Sequence, residues 1–202
     1  MIVSGRCGWT GKLPASGDFI SRRVPAEFRV PWERWLEDVI IASRAMLGTA
    51  WQERFLRAPA WRFVLAPGTL SVSGWAGVMV PSVDCVGRFY PLTLVSGLGH
   101  SPIDAERALA ALHDWFDAAE QLALSALTPA TDPQAFDEAV AALAPLPAPP
   151  ATVGAAPAPR SAWQSRESEI APGWTFSVEG MPGAERYGEM LAGGPASEAA
   201  LP

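Results

Sequence analysis

The only lysine of the chain, Lys12, lies in the stretch GKLPASGDF (11–19), with Asp18 six positions further on; much later, PSVDCVGRFYPLT (81–93) sets Asp84 four residues before Arg88. A glycine followed by lysine is the raw material of a phosphate-cradling loop, in which backbone N–H groups and the ammonium share an anion. The spacing excludes that loop, because Arg6 stands where its first glycine belongs and Leu13 where its Ser or Thr belongs. What remains is a chain reversal. Pro14 fixes φ, Gly17 permits a left-handed backbone, and Asp18 can accept nearby amide protons, so the segment reads as a shaped turn between two short extended pieces.

Asp84 and Arg88 admit three readings. In the first, the segment is a hairpin connection: Asp84 caps the turn, Gly87 is left-handed and Arg88 pairs with a carboxylate. In the second, Lys12, Asp18, Asp84 and Arg88 form a polar patch recognised by another protein, a role that suits the planar fork of arginine. In the third, Asp84 is the nucleophile or base of a phosphatase-like hydrolase and Arg88 holds a substrate phosphate. The third lacks partners. The two histidines, His100 and His113, have no neighbour at ligand or triad spacing, and no G-x-S-x-G, H-E-x-x-H, C-x-x-C or dinucleotide fingerprint occurs. The sequence therefore assigns no catalytic residue, no cofactor and no metal. Cys7 and Cys85 do not make a disulfide framework and read as buried or half-buried free thiols.

The formal net charge is −6, and the fourteen arginines are scattered from Arg6 to Arg186 without a basic run, which argues against nucleic acid as a partner. The opening MIVSGRCGW lacks the apolar region of a secretory signal, and no apolar run approaches the roughly 20 residues that span a bilayer. The expectation is a cytoplasmic protein without membrane insertion. Hydrophobic residues make up 49% of the chain and nine are Trp, enough for a large core. An exposed Trp patch could also make a homodimer.

Several elements must position these residues. From Pro31, at a first helical turn, the residues Trp32, Trp35, Leu36, Val39, Ile40, Met46 and Leu47 recur at helical steps, and Gly48 stops them. TAWQ (49–52) has the form of a capping box, opening a short helix that carries Trp51 and Phe55. WRFVLA (61–66), GWAGVMV (74–80) and FYPLTLV (89–95) read as three strands of an antiparallel meander, with Pro91 at an edge or a bulge. The second and third are apolar at nearly every position, so helices must cover both faces of the sheet. A long helix starts after Ser101, with Pro102 in its first turn and Leu109, Leu112, Phe116, Ala119, Leu122 and Leu127 on one stripe. Asp132 and Pro133 open another, with Phe136, Val140 and Leu143 inward. The organisation expected is a main α+β domain over 1–144, a Pro/Ala-rich linker or loop over 145–160, a strand (174–180) and helix (184–191) within 161–192 that rejoin the main body, and a disordered tail over 193–202.

Taken together, GWTGKLPASGDFISRRVP, PWERWLEDVIIASRAMLG, AWQERFLRAPAWRFVLAPG, WAGVMVPSVDCVGRFYPLTL and GMPGAERYGEML resemble the TagF (ImpM) family of type VI secretion-associated proteins, in order from about Gly8 to about Leu191. One departure stands out: where the family tends to carry a Trp pair followed by T-x-G-S, this chain has Trp163 followed by Gln164. The resemblance implies a longin-like sandwich, an antiparallel sheet with helices on both faces. It also implies a cytoplasmic accessory protein without catalytic activity that represses type VI secretion post-translationally and contacts the forkhead-associated scaffold subunit. A structural subunit of the secretion machine is the alternative within that resemblance. On it, Lys12 and Asp18 either lock the Asp84–Arg88 loop by ion pairing or line a partner surface.

Overall fold

The computed structural model describes residues 6–150, 158–167 and 172–195. Among the described residues seven strands form one sheet: β1 (Gly8–Gly11), β2 (Ile20–Arg22), β3 (Trp61–Leu65), β4 (Gly74–Val80), β5 (Leu92–Gly99), β6 (Arg160–Ser165) and β7 (Thr175–Glu179). Their order is β2-β1-β5-β4-β3-β6-β7, and every neighbouring pair is antiparallel. The expected α+β sheet covered by helices on both faces is what forms. Helices α1 (Ala26–Leu47), α2 (Trp51–Arg57) and α6 (Ala184–Leu191) pack on one face, and α3 (Ala105–Ala111), α4 (His113–Ser125) and α5 (Pro133–Ala142) on the other.

Alternation along the central strands feeds both layers. On β3, Trp61, Phe63 and Leu65 point to α1, while Val64 joins the opposite cluster with Val78, Leu94, Leu109 and Phe116. The α1 side is an aromatic stack: the Trp32 ring lies 4.8 Å from Phe63, Phe63 lies 5.2 Å from Trp163, and Phe28 lies 5.0 Å from Trp32. Offset and tilted pairs of this kind contribute beyond the area they bury. Tyr187 and Met190 of α6 close the cluster.

Several boundaries depart from the sequence reading. Helix α1 begins at Ala26 and Pro31 is interior, because Phe28 is needed in the stack; the missing Pro31 N–H leaves the Glu27 carbonyl without its helical donor. Met46 points out, 51% exposed. Gly48 does end α1, at φ 53°, but a 3₁₀ turn over Gly48–Ala50 runs directly into α2, so the capping box at Thr49 does not form. Strand β5 starts only after Pro91, which removes the need for an edge or a bulge at that proline. The long helix after Ser101 is two, broken at Leu112, and its cap is Asp104, which accepts from the N–H groups of Glu106 and Arg107. Strand β6, unforeseen, adds Trp163 to the core by pairing with β3. Residues 145–150 form no helix or strand, whereas 151–157 of the expected linker and 196–202 of the expected tail lie outside the described residues. No helix among the described residues is long and apolar enough to cross a membrane.

Gly77, in the middle of β4, has no room for a methyl group: a Cβ there would fall on the Leu94 carbonyl oxygen and the Phe63 ring. Gly77→Ala should destabilise the fold by about 1–3 kcal/mol, read as a lower midpoint in chemical denaturation. An unchanged midpoint would show that β4 and β5 are not packed at this separation.

Candidate functional site

Strand β1 ends at Gly11 beside the start of β5, since Thr10 pairs with Thr93, and β4 ends at Val80 opposite Leu92. The β1–β2 turn and the β4–β5 loop therefore emerge side by side at one end of the sheet. Gly11 makes the approach possible. Its φ is 132° and a side chain would fall on the Pro91 carbonyl oxygen, so the position requires glycine on two grounds.

The two segments are bolted together. Lys12 donates to Asp84 Oδ2 at 2.5 Å, and Arg88 Nε donates to the same oxygen at 2.7 Å. Oδ1 accepts from the backbone N–H groups of Arg88 (2.8 Å) and Val86 (3.1 Å). The Arg88 guanidinium also reaches the Gly17 carbonyl. Ser82 Oγ donates to the Lys12 carbonyl at 2.8 Å, and the Cys85 N–H donates to the Ser16 carbonyl at 3.2 Å. Gly87, at φ 86°, turns the loop as expected. The Asp84 side chain has no exposed surface, Lys12 is nearly buried, and Arg88 covers them with its own side chain 58% exposed. Burial by itself would push the Asp84 carboxyl up; the Lys12 ammonium, the Arg88 amide and guanidinium and the Val86 amide outweigh it and hold the group well below the usual carboxylate range.

Three of the four residues singled out in the sequence thus meet, and Asp18 does not. Its side chain is exposed and has no partner among the described residues, and its amide donates to Ser16 Oγ at 3.1 Å, so Ser16 supplies the local cap expected of Asp18. The physical reason is competition: both nearby cations are already committed to Asp84 and Gly17. Nor does Gly17 take a left-handed backbone; Gly11 does. Chemically, a carboxylate with four donors on two oxygens and no exposed atom is a latch. No group of three potential metal ligands occurs among the described residues.

What the latch holds up is exposed. Cys85, Val86, Gly87 and Arg88 form the tip, with Val86 65% exposed. Beside it Phe19, 41% exposed, rests edge-on against Tyr90 at 5.2 Å. Sequence reasoning missed Ser16, Ser82 and Gly11 here; the serine in P-S-V-D and the glycine before Lys12 were the available signals. It also missed two ion clusters elsewhere. Arg62 on β3 binds Glu120 and Asp117 of α4, each at 2.6 Å, and Asp137 of α5 accepts from Trp9 Nε1 (2.7 Å) and Arg23 (2.8 Å). Cys7 is buried as expected, whereas Cys85 is exposed. His100 Nδ1 lies 3.3 Å from Ser73 Oγ, whose hydroxyl is also 3.2 Å from Glu27 Oε1, and His113 is exposed beside Asp114.

Because the folded pKa of Asp84 lies below its unfolded value of about 3.9, its stabilisation is present above that pH and is lost as pH falls through the folded value. Asp84→Asn should melt well below wild type at pH 7, with the gap closing as the pH is lowered under about 4; a gap independent of pH would remove the ionised latch. The Cys7 thiol, pushed up to about 12 by burial, should stay silent to an aromatic disulfide reagent while Cys85 reacts. Two fast-reacting thiols in the native protein would contradict the packing around β1.

A family model described as the TagF N-terminal domain, type VI secretion system-associated, matches residues 8–143. Among solved structures, the chain is similar to that of PA0076 from Pseudomonas aeruginosa PAO1, with a TM-score of 0.83, 32% sequence identity and coverage of 97% of this chain and 98% of that one. No curated protein matches the chain. Both blocks that build the latch, the Lys12 turn and the Asp84–Arg88 loop, fall inside the matched span, and the chain belongs to the TagF family of type VI secretion-associated proteins.

Proposed function

We propose that this protein is a cytoplasmic accessory regulator that represses type VI secretion post-translationally by binding, with the forkhead-associated scaffold component as its partner and the latched loop as its contact surface. The family supports the first part of this reading. The observation that carries the second is the contrast between a wholly buried carboxylate and the exposed tip it supports: Val86 and Phe19 offer apolar area, and Arg88 and Asp18 flank them with charge. A tip held by four donors loses little conformational entropy on binding, which is the physical advantage of a preorganised contact. The same four donors argue against Asp84 as a nucleophile or base, since its lone pairs are occupied and no substrate could reach them.

The test is capture of the purified forkhead-associated scaffold by the tagged chain. Val86→Asp leaves every latch contact in place, so it should remain folded by circular dichroism yet weaken capture by at least about tenfold. Phe19→Ser should do likewise. Capture unaffected by both substitutions would remove the loop from the interface, and no capture by the wild type would remove the partner.

A further inference from the structure

The two edges of the sheet are treated differently. Strand β2 is blunted: it is three residues long, ends in Arg22, and is followed by Arg23 at φ 56°. Strand β7 has five residues, TFSVE, without Pro, Lys or Arg and without a bulge in its pairing to β6. Short length and positive charge are usual protections of an edge, and β7 has neither within its own five residues.

The hydrogen-bond phase of β7 is fixed by its ends. The Ser165 N–H donates to the Trp174 carbonyl (2.8 Å) and the Gly180 N–H to the Pro159 carbonyl (3.0 Å). Antiparallel alternation then turns the backbone of Phe176 and Val178 toward β6 and leaves the N–H and C=O groups of Thr175, Ser177 and Glu179 directed outward. Among the described residues no strand lies beyond β7.

We infer that β7 is a homodimer interface, in which two copies pair β7 to β7 antiparallel about a two-fold axis passing between their Ser177 residues, joining two seven-stranded sheets into one. The strand is complementary to itself in that register. Ser177 faces Ser177 of the second copy, and Thr175 faces Glu179 of the second copy, so that all the outward groups pair, with about six main-chain hydrogen bonds. The only charged side chain of the strand meets a hydroxyl and not its own like. That hydroxyl is suitably placed: Gln164 Nε2 donates to Thr175 Oγ1 at 3.4 Å, which leaves the Thr175 proton to donate to the carboxylate of Glu179, itself 74% exposed and held only at 3.8 Å by Arg160. On the α6 face, half-buried Phe176 comes opposite half-buried Val178 of the second copy, an aromatic and β-branched pair of the kind that stabilises sheets.

Sedimentation equilibrium over a range that brackets dissociation constants of about 1–100 µM should give twice the chain mass of 21.4 kDa. Ser177→Pro, which removes the central outward N–H and leaves the main-chain ladder to β6 in place while giving up the side-chain contacts of Ser177 with Arg160 and Glu106, should return the mass to that of one chain and keep the circular dichroism spectrum intact; Ser177→Ala, which gives up the same side-chain contacts but keeps the N–H, should remain a dimer. As an independent readout that does not require the proline variant to fold, Ser177→Cys in a Cys85→Ser background should be joined into a dimer by a short bis-maleimide. A monomer at every concentration overturns the inference. So does a dimer that survives Ser177→Pro, or a dimer of the Ser177→Cys variant that the reagent fails to cross-link.

Discussion

The constraint on which the structure rests is that β3, β4 and the first five residues of β5 are buried on both faces. Such strands can present little to the outside but their ends, because every side chain along their length is needed to fill one layer or the other. Two helical layers follow from this, and so does the placement of the polar chemistry. With the lengths of the strands sealed, Lys12, Asp84 and Arg88 gather at one end, where the β1–β2 turn and the β4–β5 loop emerge together. The few charged groups admitted to the layers themselves are paired: Arg62 reaches into the α4 side of β3 only with two carboxylates to meet it.

At that end, a buried ion pair acts as a positional device. Lys12 and Asp84 are separated by 72 residues in sequence and are joined by a short hydrogen bond, which registers the N-terminal turn against the loop between two core strands. Removing Asp84 would leave the Lys12 ammonium nearly buried without its partner, whereas removing Lys12 would leave Asp84 three of its four donors, so the pair fixes the position of the N-terminal turn more than that of the loop. Arg88 completes it from outside. The consequence is a loop that is exposed in its side chains and rigid in its backbone, a combination suited to recognition by another protein.

Much of this was legible in the sequence, for identifiable reasons. The run GWAGVMV could be assigned to a strand covered on both sides because apolar residues at every position leave few alternatives, and Gly87 could be assigned a left-handed turn because it follows Asp84 in a short connection between strands. Lys12, Asp84 and Arg88 were recognisable as a group from residue type and resemblance. Asp18 was not separable from them, since a sequence does not say which of two carboxylates two cations will choose; burial of Asp84 between four donors decided it. Strand β6 escaped because SAWQS carries only one large apolar residue, and its identity as a strand comes from pairing with β3 a hundred positions earlier. The break at Leu112 escaped for a similar reason: the apolar stripe is continuous across it, and the backbone at φ −96° and ψ 16° departs from a helix without any signal from Gly or Pro.

The pairing of β6 with β3 also bears on the order in which the chain can be assembled. The span matched by the family model ends at residue 143, yet the aromatic layer is incomplete without Trp163, Tyr187 and Met190. During synthesis, β3 has its β4 neighbour at once, but its other edge and the rings of Trp32 and Phe63 must wait until β6 and α6 have left the ribosome. Contacts of such long sequence separation form slowly, and an unpaired strand edge beside uncovered aromatics is prone to aggregation in the interval. The C-terminal strands and α6 are therefore what completes both the sheet and the aromatic layer, and a chain cut before them would keep the β3 edge open.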